Sequence, residues 1–266
     1  MRKAFIYLCG LFTVVAAWAI YRDSGLGIRD AKAGTLDMGT APRAVDAQRT
    51  TRAGLEAIIE ATRQRVSADV GDGEAAVRLA DALMRMARVT ADGSLAIEAE
   101  RVLRATLQHS PSDYMARRML SVVYLAQHRF EDALREATKA QTLRPEDAWN
   151  YAIAGDALLE LGRYDEAFDS FDKVMERRPD AGAYARVAYA RELQGDLDGA
   201  VQLMQMSAEA TSRNDAEAMA WTFAQLGNLY VLQGRLDDAE LEFNRADYVF
   251  PSHPYAMNGR VRLLIA

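Results

Sequence analysis

Cysteine is nearly absent from this 266-residue chain. The one example, Cys9, stands in an apolar N-terminal segment, so the rest has no disulfide to staple it and no thiol to ligate a metal. Histidine is almost as scarce: His109, His128 and His253 lie far apart, with no His-x₃-His or Cys/His spacing, which argues against a zinc site. Without a Cys/His pair or a Gly-x-Ser-x-Gly elbow, nucleophilic catalysis has no foothold. No Walker loop is present, and Gly25-Leu26-Gly27 follows no strand and lacks the third glycine of a dinucleotide motif. Asp69, Asp72 and Glu74 lack the 12-residue loop of a calcium site. Neither a cofactor nor a metal is therefore expected. Basic stripes are missing too. Residues 61–266 hold 24 basic and 32 acidic side chains within a net charge of −6, with no run of cations interleaved with aromatics, so nucleic acid is not an expected partner.

Proline and glycine are sparse, 6 and 17, against abundant Ala, Leu, Glu, Asp and Arg, a balance that favours helix. Alternation with a period of two, bounded by hairpin turns, appears nowhere. With 50% hydrophobic residues the chain can bury a substantial core.

The longest apolar run, Ala4 to Tyr21, follows Arg2 and Lys3 and ends at Arg22-Asp23. A basic start, an apolar stretch and the triplet Ala17-Trp18-Ala19 describe an export signal, while 18 residues also suffice for an uncleaved membrane anchor. Both readings place residues 1–22 at a membrane and send the remainder out of the cytoplasm, either periplasmic or anchored to the inner membrane. Residues 23–50 carry four glycines and Pro42 and few large apolar side chains, and read as a flexible linker. Helical periodicity begins near Thr51 with Leu55, Ile59, Thr62 and Val66 on one face, is broken at Gly71-Asp72-Gly73, and then continues to the end.

What fills residues 74–266 is repetition. Ala133, Ala167, Ala200 and Ala239 mark one place in a unit, at intervals of 34, 33 and 39 residues; Pro111, Pro145 and Pro179 are 34 apart, and Pro251 follows 72 later. That period signals a stacked array of helix pairs. A divergent first pair spans about 74–90 and 94–108, with Leu79, Leu83, Met86, Ile97, Val102 and Leu103 expected inward. Clearer pairs follow at 112–126 with 130–142, 147–160 with 164–177, 181–193 with 197–210 and 214–233 with 236–248, then a half pair from Pro254. Gly155 and Gly227 on first helices let backbones approach closely. Gly162, Gly195 and Gly234 fall where a left-handed residue ends a helix. The acidic pairs Glu131-Asp132, Asp165-Glu166 and Asp237-Asp238 recur in register at second-helix starts, as the helix dipole favours, whereas a catalytic pair is needed once.

The unit resembles the tetratricopeptide repeat. From Ala148 the matching residues are Tyr151, Ala154, Gly155, Leu158, Tyr164, Ala167, Phe171 and Pro179; from Ala220 they are Phe223, Leu226, Gly227, Tyr230, Leu236, Ala239, Phe243 and Pro251. The unit from Tyr114 fits through Leu120, Ser121, Tyr124, Phe130, Ala133 and Pro145. The third clear unit departs, with Arg191 where a large apolar residue is usual. The resemblance implies an all-α, right-handed superhelical solenoid of antiparallel helix pairs over residues 51–266, in which first helices line a concave groove. The groove positions it implies include Met115, Arg118 and Val122, then Trp149, Asp156 and Glu160, then Tyr189 and Glu192, then Trp221 and Asn228. Such a surface, apolar and aromatic with scattered acids, suits an extended or helical peptide. Trp149 and Trp221 can equally pack at seams between repeats. The implied role is a non-catalytic scaffold that binds a protein or peptide partner at the cell envelope, the rival being a regulatory or accessory module of an enzyme whose chemistry lies elsewhere.

At the C-terminal edge, Leu263, Leu264 and Ile265 cannot all turn inward from one helix. Either more repeats follow, or the edge docks a partner or a second copy of the chain.

Overall fold

The computed structural model describes residues 52–90 and 92–265; the apolar segment, Cys9 and the linker lie outside the described residues. Twelve α-helices and no strand occur among them. A lone helix, α1 (Arg52–Ala68), leads into α2 (Gly73–Thr90) and α3 (Ser94–His109). The pairs α4 (Tyr114–Ala126) with α5 (Phe130–Leu143), α6 (Ala148–Glu160) with α7 (Tyr164–Arg177), α8 (Ala181–Leu193) with α9 (Leu197–Ala210), and α10 (Ala216–Leu232) with α11 (Leu236–Val249) follow, and α12 (Pro254–Ile265) closes the series. Each helix packs on the next, and first helices also touch first helices along most of the array, making a right-handed superhelical solenoid.

The period of the sequence becomes structure through a few backbone rules. Each proline of the series stands two residues beyond a second helix, and a proline forbids helical geometry to the residue before it. Ser110, Arg144, Arg178 and Phe250 accordingly leave the helix, with φ between −128 and −153° and ψ between 78 and 92°. An aspartate then restarts the chain. Asp113, Asp147, Asp180 and Asp215 each accept a hydrogen bond from a first-turn backbone N–H of α4, α6, α8 and α10, at 2.9 to 3.1 Å. Between the two helices of a pair, Gly162, Gly195 and Gly234 adopt φ of +75, +82 and +72°, and His128 fills the same place at +58°.

Packing follows a size rule within each pair. Two side chains 16 residues apart face each other, one on the first helix and one on the second. Where the first is Gly155 or Gly227, the second is Phe171 or Phe243, and Ala188 shares a buried cluster with Met204. A Cβ on Gly155 would lie 2.5 Å from Cε1 of Phe171, and one on Gly227 would lie 2.6 Å from Cε1 of Phe243. Gly259 of α12 meets the same Phe243 ring.

One expected core residue is wrong. Ile97 is 65% exposed, because α3 buries Ala96, Ala99, Val102, Leu103 and Thr106, and Ile97 lies about 100° round the helix from Ala96. The remaining inward residues of the first pair and the α1 stripe of Leu55, Ile59 and Thr62 are buried.

Candidate functional site

The first helices carry the groove positions, and the structure sorts them into three groups. Val122 has no exposure and Trp149 only 3%, and both belong to the continuous core of the N-terminal half. They are seam residues rather than groove surface. Arg118, itself buried, lays its guanidinium 4.0 Å over the Trp149 ring and reaches Asp147 at 3.5 Å, while Met115 packs half-buried against the same core. Asn228 is buried as well, its Nδ2 donating to Oε1 of Gln225 at 3.5 Å.

A second group makes a seam of charge. Arg186 of α8 reaches back to Asp156 of α6, donating from Nε at 3.0 Å and from Nη2 at 2.9 Å, and it also donates to the Gly182 carbonyl. Asp156 is therefore engaged within the array. One turn along α6, Glu160 is half-buried; burial, reinforced by the charge of Asp156, pushes its carboxyl up to about 7. Arg186 had a readable signal, an arginine 30 residues after an aspartate in a repeat of about that length, which the groove pattern does not include.

The third group converges. Tyr189 and Glu192 of α8 and Trp221 of α10 line one small cavity of about 10 Å³, with Ala185, Met204, Gln225 and Leu229 completing the wall. Two donors on that wall, Nε1 of Trp221 and Nε2 of Gln225, are buried without a hydrogen-bond partner among the described residues. Burial pushes Glu192 up to about 7 against the opposing pull of Arg262 from α12. The cavity opens where the repeat interval lengthens from 33 to 39 residues, between α8 and α10. Gln225 is missed by reading groove positions alone. Its signal is polarity in the middle of α10, an otherwise strongly apolar helix.

Known proteins share the fold. A family model described as tetratricopeptide repeat matches residues 98–148 and 154–216. These stretches are similar to tetratricopeptide repeats. Tetratricopeptide repeat protein 36 of Homo sapiens is 37% identical over 95 residues, which is 35% of this chain and 50% of that protein. Its Bos taurus counterpart is 38% identical over 117 residues, 44% of this chain and 57% of that one. The chain thus spans about half the length of the curated relatives it matches. Among solved structures, a thermophilic tetratricopeptide protein of Thermus thermophilus is similar with a TM-score of 0.61, 18% identity, and coverage of 73% of this chain and 97% of that one. A chain of the APC/C hetero-tetramer gives 0.62, with 13% identity, 83% of this chain and 45% of that one. At such identities the likeness is one of fold.

Within the helix pairs, the recurring acids are held by recurring arginines. Arg129, Arg163 and Arg235 stand just before the second helices and bind Asp132, Glu166 and Asp238 at 2.5 to 2.8 Å. Arg129 and Arg235 also cover the rings of Tyr124 and Tyr230 at 4.2 and 4.3 Å. Arg135 and Arg129 hold the Asp132 carboxyl below its ordinary range, and Arg163 does the same for Glu166. The third pair inverts the motif. Asp196 caps α9 directly, and Arg191, on α8 where the others have tyrosine or leucine, supplies the guanidinium at 2.6 Å. That exchange explains why Arg191 breaks the repeat pattern. Among the described residues, no group of three His, Cys, Asp or Glu is placed to hold a metal, and no helix is long and apolar enough to cross a membrane.

Proposed function

We propose that the solenoid is a non-catalytic scaffold that binds an extended or helical segment of a partner protein on its concave face, anchored between α8 and α10. The tetratricopeptide fold is consistent with a protein-interaction scaffold. The observation that carries the finer reading is the convergence of Tyr189, Glu192 and Trp221 on one cavity whose wall keeps two buried donors without a partner among the described residues. Buried donors left unmade are costly, and a ligand carbonyl, or a water bridging to one, would satisfy them. The acids of the second-helix starts support the non-catalytic reading, since arginines engage them in repeat after repeat.

Tyr189 and Glu192 are half-buried and can be changed without emptying the core, which is untrue of Trp149 and Trp221. Crosslinking in cells followed by mass spectrometry should identify partners captured by the native chain and lost from a Tyr189→Ala, Glu192→Ala variant. Partners retained in full by a folded variant would refute the groove.

We further propose that residues after about 22 lie outside the cytoplasm, on the strength of the Ala4–Tyr21 run and its basic flank. A reporter active only in the cytoplasm, fused after residue 50, should be silent; full activity would end the export reading. Mass spectrometry of the N-terminus then separates cleavage after Ala19 from a retained anchor.

A further inference from the structure

In a solenoid each unit touches only its neighbours, so stability and shape build up locally. Among the described residues, an ion pair departs from that rule. Arg88, near the end of α2, meets Glu217, in the first turn of α10, with Nη2 and Oε2 2.6 Å apart across 129 residues of sequence. Both side chains are enclosed, at 11 and 8% exposure. His253, just before α12, approaches the other carboxylate oxygen at 3.6 Å, and its ring packs against Phe250 and Tyr255 at centroid distances of 5.5 and 5.7 Å. The first pair is thereby joined to the last full pair and to the half pair behind it.

The two helices are built for the meeting. The first helices α4, α6 and α8 have 13 residues each, but α2 has 18 and α10 has 17. In α6 the capping aspartate stands two residues before Trp149; in α10 it stands six before Trp221, so one extra turn lies between cap and core. That turn accounts for most of the excess of the 39-residue interval over the usual 33 or 34, and it carries Glu217. Glu217 and Trp221 are four apart and share a face of α10, so Arg88 closes over the array one helical turn from the pocket.

We propose that Arg88 and Glu217 form a clasp that closes the solenoid across its concave face, and that opening the clasp widens access to the Tyr189–Glu192–Trp221 pocket. The closure stands on the ion pair alone, and only its relevance to a partner rests on the groove reading. Both halves are tested on the full chain with Cys9→Ser. Spin labels at the exposed positions Ile97 and Arg213, through cysteine substitutions, should give one short, narrow distance in the otherwise native chain. Arg88→Gln and Glu217→Gln should each add a longer, broader population. Separately, with Tyr189→Cys as the only thiol, the rate of modification by iodoacetamide should rise several-fold in each clasp variant. Unchanged distances in both variants, with helical circular dichroism intact, would overturn the clasp. Longer distances with unchanged thiol reactivity would overturn the gate while leaving the closure. Loss of partners on Tyr189→Ala is read by crosslinking and bears on neither result.

Discussion

The size rule between paired helices makes a prediction that changes sign with context. Gly155→Ala places a methyl 2.5 Å from Cε1 and 2.8 Å from Cδ1 of Phe171, a buried ring, and 3.2 Å from Cβ of Ser170. Those atoms belong to the middle of a packed side chain, so the two helices must shift by several tenths of an ångström or the ring must leave its rotamer. Overpacking of this kind costs about 1–3 kcal/mol. Against it, alanine is favoured over glycine inside a helix by about 1 kcal/mol. The net effect should be a loss of about 1 kcal/mol, or roughly 2–4 °C in melting temperature for a domain of this size. In a Phe171→Ala background, itself costing about 3–5 kcal/mol, the ring is gone and only the approach to Ser170 opposes the helix preference. There Gly155→Ala should stabilise by about 1 kcal/mol or somewhat less. Urea unfolding followed by circular dichroism on the four chains measures all the terms. The coupling should fall in the range of about 0.5–3 kcal/mol found for touching residues. If the two changes add within about 0.5 kcal/mol, Gly155 is not there to make room for Phe171, and the rule fails.

Glu160 and Glu192 are held near 7 by burial, above the ordinary glutamate value. Between about pH 4.5 and 7 the folded chain keeps protons that the unfolded chain has lost, so these two groups make stability fall as pH rises through that window and level off above it. Glu160→Gln with Glu192→Gln should flatten that part of the profile and gain most above pH 7; urea midpoints at pH 5 and pH 8 that move equally would refute the assignment. At the outer face of α12, Leu264 is 85% exposed, with Ile265, Val261 and Met257 beside it, while Leu263 packs inward. Sedimentation velocity should show association rising with concentration, relieved by Leu264→Glu. A monomer at high concentration with the last helix protected from hydrogen exchange would refute it.

The array was legible because its grammar is local. Pro145 and Gly162 act on the residues beside them, so the helix ends read from the sequence agree with those found to within a residue or two. Face assignment was less secure where the pattern was weak. Ile97 looks like core by hydropathy, but α3 packs through alanines, and small residues give a poor signal of which side faces in. Trp149 illustrates a different limit. Its position is compatible with groove or seam, and the choice is made by Arg118, which stacks on it from the preceding pair. Such neighbour effects need three-dimensional distances. The pairing of Arg88 with Glu217 had no local trace beyond one over-long interval, because it depends on the curvature accumulated over four pairs.

That contact also bears on how such a chain could change over time. Repeat arrays ordinarily gain and lose units with little consequence, since each unit sees only its neighbours. Here a unit inserted or deleted anywhere between residues 88 and 217 would rotate the two partners out of reach of each other. Copy number is therefore constrained inside that span and free outside it. Beyond α12, where Gly259 seats against Phe243 as the next first helix would, units can be added without disturbing the join. Variation in length among close relatives should accordingly be confined to the flanks.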